Sequence, residues 1–180
     1  AVGALMHVNA VFSYRNLDAG NIRNQADLGG GGLRDIGVYT LGAVPWATGQ
    51  HPGALRHAHV QMENGVDVMA DVGFEFPGFS YQGLTSTRMA NRQEVHFHGS
   101  DAVLSLTCPF NANVFDQAEL HLNMPDGRRN SERFTGVNQY VLQVENFGRA
   151  LRDGRLYDWS LEQARDTQAM LDQIFASLTP

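Results

Sequence analysis

The chain has 180 residues, 43% hydrophobic and 18% charged, with a formal net charge of -6, which suits one globular domain or one domain with a small appendage. Its 13 Lys and Arg residues are scattered, so no basic cluster exists to neutralise phosphates, and a nucleic-acid partner is not expected. No apolar run approaches the ~18 residues of a membrane span, no leader pattern opens the chain, and the single cysteine, Cys108, allows no internal disulfide and suits a reducing, cytoplasmic setting.

Ala4 to Tyr14 alternates. Met6, Val8, Ala10, Phe12 and Tyr14 share one face and His7, Asn9 and Ser13 the other, which predicts a half-buried strand. Arg15 to Gly32 is long for a connection and rich in Asn, Asp and Gly, and long connections of this kind are usually functional or disordered. The four glycines Gly29 to Gly32 then give way to a helical pattern. Leu33, Ile36, Gly37, Thr40, Leu41 and Val44 recur at three- and four-residue steps and form one stripe that should face a core. Asp35, Tyr39, Gly42 and Trp46 fall on the opposite side. Pro45 predicts a kink or an early end, and Thr48 to Gly53 supplies stop and turn signals.

Leu55 to Met62 and Val66 to Phe76 flank Asn64-Gly65, a strong two-residue hairpin signal. On the second strand Val66, Val68, Ala70, Val72, Phe74 and Phe76 should be buried, with Asp67, Asp71 and Glu75 on a face that is wet or meets a partner. Further strands are predicted at Tyr81 to Met89, Glu94 to His98, Ala102 to Thr107 and Gln117 to Met124. The tail reads as two helices. One carries Tyr140, Val144, Phe147 and Leu151 and ends at Gly154; the other opens on a Ser160–Gln163 capping box and buries Leu161, Ala164, Leu171, Ile174 and Leu178. Strands at hairpin spacing with helices at the ends predict an α+β fold: a large open, predominantly antiparallel sheet with helices packed on one face. That leaves the other face to solvent or a second subunit. Leu55, His57, His59 and Gln61, with Tyr81, Thr85, Thr87 and Met89, are expected there, and their low charge suits a subunit interface.

The candidate chemistry begins with Asp35 and Tyr39, a carboxylate and a phenol spaced i, i+4 beside a helix N-terminus and turned away from the packing stripe. A solvated surface pair is the plainer reading of that spacing. The glycine run is not read as a nucleotide cradle. It lacks both the G-x-G-x-x-G spacing and the phosphate-loop lysine. His57 with His59, and His96 with His98, could ligate zinc if neighbouring strands brought the pairs together, but no third ligand is evident and no metal is expected. Cys108 reads as a packed small hydrophobe rather than a nucleophile, and Trp46, Phe147 and Trp159 as core residues.

Asn21-Ile22-Arg23, followed by Leu28-Gly29-Gly30-Gly31-Gly32-Leu33-x-Asp35-x-Gly37-x-Tyr39, resembles the glucose–fructose oxidoreductase/inositol dehydrogenase (Gfo/Idh/MocA) family. The nearest branch holds glucose–fructose oxidoreductase, xylose dehydrogenase and dihydrodiol dehydrogenase. The strand before the motif, the hairpin after it and the Asn138-Gln139-Tyr140…Glu145-Asn146-Phe147…Ala150-Leu151 helix are similar as well. Family members also carry a Rossmann domain with a glycine fingerprint and a Glu-Lys-Pro lysine, and neither occurs here. The resemblance therefore implies that residues 1–180 are a C-terminal, substrate-binding and dimerisation half. It implies a sugar or polyol as substrate, and NAD or NADP held mainly by the absent domain, with no cofactor expected on this chain alone.

The resemblance assigns Tyr39 as the acid/base that moves a hydroxyl proton while the nicotinamide takes the hydride. It gives Asp35 a role in orienting a substrate hydroxyl, and places Arg23 and Asn21 at the substrate site. A phenol near pKa 10 is a poor base at neutral pH and needs a neighbouring cation, which the family's lysine would supply. A homodimer through the open sheet face is implied too. The isolated chain is then expected to be inactive. The alternative is a non-catalytic binding or scaffold module that reuses the same sheet.

Overall fold

The computed structural model describes residues 1–112 and 116–178. Eight strands form one sheet: β1 (Leu5–Ser13), β2 (Leu55–Glu63), β3 (Val66–Phe76), β4 (Phe79–Ser86), β5 (Arg92–Gly99), β6 (Val103–Thr107), β7 (Glu119–Asn123) and β8 (Arg129–Arg133). Their order is β2-β3-β4-β1-β5-β6-β7-β8, and the sole parallel pair among them is β1 with β4. Two short 3₁₀ turns, Ile22–Asn24 and Ala26–Leu28, precede a π-helical turn at Leu33–Gly37, which runs directly into α1 (Val38–Thr48). Helices α2 (Gln139–Asp153) and α3 (Leu161–Ser177) close the chain. This is the expected α+β arrangement.

The hairpin at Asn64-Gly65 has both residues at positive φ, 51° and 80°, the backbone whose twist matches the flanking strands. It sets the register that turns Ala70, Val72, Phe74 and Phe76 inward. They meet Val8 and Ala10 of β1, Tyr81 of β4, the Leu33, Leu41 and Val44 stripe, and Met170, Leu171 and Ile174 of α3. All six stripe positions from Leu33 to Val44 are buried. Each fully buried Leu, Val, Ile, Phe or Met side chain contributes roughly 1.5–3 kcal/mol, so this layer holds α1 against the sheet.

Several expectations are corrected. The helix does not stop at Pro45: it continues to Thr48, where Gly49 takes a left-handed C-cap. Packing on β1, β4 and α3 outweighs the one backbone hydrogen bond a proline removes. Gly42 does not face outward but is buried beneath Trp159 and Thr167, because α3 crosses α1 there. Tyr81, Thr85 and Thr87 are each 2% exposed and lie inside, not on the open face. Pairing places Ser80 and Gln82 on that face instead.

Asp67 is also 2% exposed, far from the wet position its alternation suggested. Trp46 and Phe147 are exposed rather than core, as is Leu161. The α2 stripe of Tyr140, Val144, Phe147 and Leu151 stays open to solvent, each residue more than half exposed, so only α1 and α3 cover the sheet. Strand β8, Arg-Asn-Ser-Glu-Arg, was not anticipated. It has no apolar alternation, being an exposed edge.

Candidate active site

The C-terminal end of β1, the turn around Arg23, the π-helical turn, the first turn of α1, the start of β5, the turn after β6 and the first turn of α2 converge on one cavity of about 390 Å³. A π-turn widens the helix by one residue and is frequent at functional sites. Here it carries Asp35, and Tyr39 follows one turn later, so both predicted residues line the same cavity. Arg23 lines it too. Asn21 does not. Its Oδ1 instead accepts the Arg23 N–H at 3.1 Å and caps the 3₁₀ turn, fixing the backbone that carries Arg23.

Asp35 is anchored by two donors on one oxygen. Tyr14 Oη donates to Asp35 Oδ2 at 2.7 Å and Arg23 Nε donates to the same atom at 2.6 Å. Burial first, and then the bond to Asp35, push the Tyr14 phenol far above its usual value, so it stays a protonated donor. The second carboxylate oxygen is left for other partners. Tyr39 is shifted upward as well, by burial first and then by Tyr140 and Asp35, with Arg23 opposing. Within this chain Tyr39 is therefore a proton-bearing phenol. To act as a base it needs a further positive charge.

The floor is aromatic. The Phe12 and Phe110 rings stack with centroids 5.5 Å apart and planes 13° apart, and Tyr39 lies against both, 5.7 Å from each. Tyr14, Gln93, Phe110, Asn111 and Tyr140 were not identified as site residues from the sequence. They come from four separate segments, and no local spacing links them.

The glycine run does not cradle a phosphate. Asp67 Oδ2 accepts the Leu33 N–H at 2.6 Å, and a Cβ on Gly31, whose φ is 120°, would overlap the same carboxylate. A negative charge already occupies this helix N-terminus, so it repels a second anion. The histidine pairs are not brought together: β3, β4 and β1 separate β2 from β5, a span of roughly 19 Å. Among the described residues no group of three or more His, Cys, Asp or Glu side chains could hold a metal. Cys108 is 2% exposed and its thiol is pushed up chiefly by burial, as a packed residue requires. No helix among the described residues is long and apolar enough to cross a membrane.

A second, larger groove of about 900 Å³ lies between α1 and strands β5 to β7, walled by Trp46, Phe97, Leu104, Leu106, Leu120 and Trp159. Tyr39 and Phe110 belong to both cavities. The groove is predominantly apolar, with Glu119, ion-paired to Arg133 and His121, among its lining residues.

An uncharacterised oxidoreductase of Rhizobium meliloti, ORF334, is 30% identical over 179 residues, covering 96% of this chain and 54% of its own length. A D-xylose 1-dehydrogenase (NADP(+)) of Haloferax volcanii is 28% identical over 98% of this chain and 54% of its own. The chain thus spans about half the length of the relatives it matches. Among solved structures, KijD10, a 3-ketoreductase of Actinomadura kijaniata in complex with NADP and TDP-benzene, superposes with a TM-score of 0.80 at 25% identity. That match covers 92% of this chain and 52% of the other. An aldose-aldose oxidoreductase of Caulobacter crescentus, complexed with glycerol, superposes at 0.85 with 18% identity, covering 98% and 54%, a likeness of fold. Residues 1–105 match the family model of the GFO/IDH/MocA C-terminal domain, and the chain belongs to that family.

Proposed function

We propose that residues 1–180 are the substrate-binding and subunit-association domain of an NAD(P)-dependent oxidoreductase acting on a sugar or polyol. One observation carries this reading: Asp35 and Tyr39 meet Arg23 and Tyr14 in a monosaccharide-sized cavity floored by stacked aromatic rings. Aromatic faces suit the C–H face of a sugar, and fixed carboxylate and phenol groups suit its hydroxyls. Tyr39 holds the proton exchanged with the reacting oxygen. Asp35, its geometry locked by Tyr14 and Arg23, accepts from a substrate hydroxyl, and Asn21 keeps Arg23 in place.

The N-terminus of the turn leading into α1 is occupied by Asp67, so it offers no cradle to the phosphates of a dinucleotide. The cofactor is therefore assigned to a Rossmann-type half. Its surface covers the apolar groove beside α1 and the open stripe of α2, and it supplies the cation that Tyr39 needs. The relatives are about twice the length of this chain, which supports a partner of that size.

The test is a panel of aldoses, ketoses and polyols offered with NAD and NADP to the protein joined to its dinucleotide half. Turnover of at least one sugar, lost in Tyr39→Phe, is expected. No turnover across the panel, with sugar binding retained, would favour a non-catalytic binding module.

A further inference from the structure

Gln93 is the second residue of β5, on the inward side, opposite Phe12 of β1. It is 4% exposed, yet it lines the polar cavity. Its backbone and its side-chain amide are each held by one hydrogen bond. The backbone carbonyl of Gln93 accepts the Cys108 N–H at 3.0 Å, and its Oε1 accepts the Asn111 N–H at 2.9 Å. With Oε1 committed to a backbone donor, the orientation of the amide is fixed, and the group left over is the NH₂. Among the described residues that nitrogen has no hydrogen-bond partner. It is not among the sealed, partnerless atoms of the interior either, so its opening is to the cavity. Asn111, whose N–H holds Oε1, belongs to the same wall, while its own Oδ1 is sealed in the interior with no hydrogen-bond partner among the described residues.

A buried amide with a free donor is costly unless something accepts from it. A preorganised donor with no acceptor of its own, opening onto an aromatic floor, matches the oxygen of a hydroxyl group. A flat aromatic ligand would leave the Gln93 NH₂ unpaired, and an anion would repel Asp35. We infer that Gln93 is a specificity-determining residue. Its NH₂ donates to a ring hydroxyl of a pyranose- or furanose-sized sugar, at a carbon other than the one that reacts at Tyr39. This rests on the sugar-oxidoreductase reading and adds to it the residue that reads one hydroxyl position.

The test uses the protein joined to its dinucleotide half, a sugar that it turns over, and the monodeoxy analogues of that sugar. For the unsubstituted protein, one deoxy position is expected to raise KM about tenfold, the weight of one neutral hydrogen bond to a buried donor, with kcat changed less. In Gln93→Leu the parent sugar should fall to the level of that analogue, and discrimination at that position should vanish. Gln93→Glu keeps the oxygen that takes the Asn111 N–H but replaces the donor. Assayed above the carboxylate range, where it is ionised and has no donor, it should show the same loss with a lowered melting temperature from the buried charge, and it decides the matter if the leucine variant does not fold. Discrimination at every position equal to that of the unsubstituted protein, in either folded variant, would overturn this inference while leaving the oxidoreductase reading intact. Failure to turn over any sugar would overturn both.

Discussion

Asp67 and Leu33 stand 34 positions apart in the chain, yet Asp67 Oδ2 takes the Leu33 N–H at 2.6 Å and closes the N-terminus of the turn that carries Asp35. A strand residue thus serves as the cap that Gly32 has no side chain to provide. Asp67→Ala should cost about 1–3 kcal/mol, since it strands buried N–H groups. Asp67→Asn, which keeps one acceptor, should cost less. Chemical denaturation would measure both, and an alanine variant as stable as the parent would remove the cap from the account.

The same carboxylate carries a pH signature. Burial, the largest influence, raises its folded pKa above the unfolded value although backbone N–H groups oppose the rise. Over the interval between those two values the folded chain holds a proton that the unfolded chain has released. Its contribution to stability is full below the unfolded carboxylate range and declines as pH rises through that interval. Stability titrations of the parent and Asp67→Asn should differ by a downward slope in mildly acidic solution, present only in the parent. Superimposable curves would contradict this.

Tyr39 is 44% exposed and its ring, not its hydroxyl, makes the packing contacts with Phe12 and Phe110. Tyr39→Phe should therefore leave the melting temperature within a degree or so while cutting turnover roughly 10²-fold or more. Tyr14→Phe should behave differently. It frees one anchor of Asp35, so KM should rise several-fold while proton transfer persists. Equal effects of the two substitutions on kcat would mean that the roles assigned to these phenols are wrong.

Six of the seven histidines, His7, His57, His59, His96, His98 and His121, lie on the strands with their register on the outward face. A two-fold dimer through this face is proposed, and sedimentation of the 19.8 kDa chain at tens of micromolar should give twice that mass. His7 is shifted below its usual value by burial first and by the facing His98 second. Its folded pKa lies under the unfolded one, so the stability it contributes is present above the unfolded histidine range and lost as pH falls through the folded value. Acidification should loosen both the fold and the dimer, and a monomer at neutral pH would end the proposal.

How much of this was legible beforehand depends on the range of the signal. Alternation set β1 and β3 and the hairpin between β2 and β3 because those signals are local. The stripe from Leu33 to Val44 did the same for α1. Position-by-position alternation failed where tertiary contacts chose the face. Asp67 is drawn inward by a helix N-terminus, and Thr85 and Thr87 lie beneath the glycine turn and α1. In the site, Asp35, Tyr39 and Arg23 sit within one short stretch of sequence and were found. Tyr14, Gln93, Asn111 and Tyr140 arrive from segments up to 126 positions apart (140 − 14), and only the folded sheet places them side by side.

The position of β1 at the centre of the sheet has a consequence for how the molecule assembles. β2 to β4 form one meander and β5 to β8 another, and β1 is the strand that pairs with both and joins them into one sheet. It cannot find either neighbour until residues near 80 and near 95 are available, so a strand made before the other seven is among the last to be zipped into place. Such non-local pairing is slow, and an unpaired apolar strand waiting for its slot invites association between chains. Two nascent copies could exchange this strand, each completing the other's sheet, and the lag before β1 docks is when a chaperone would act.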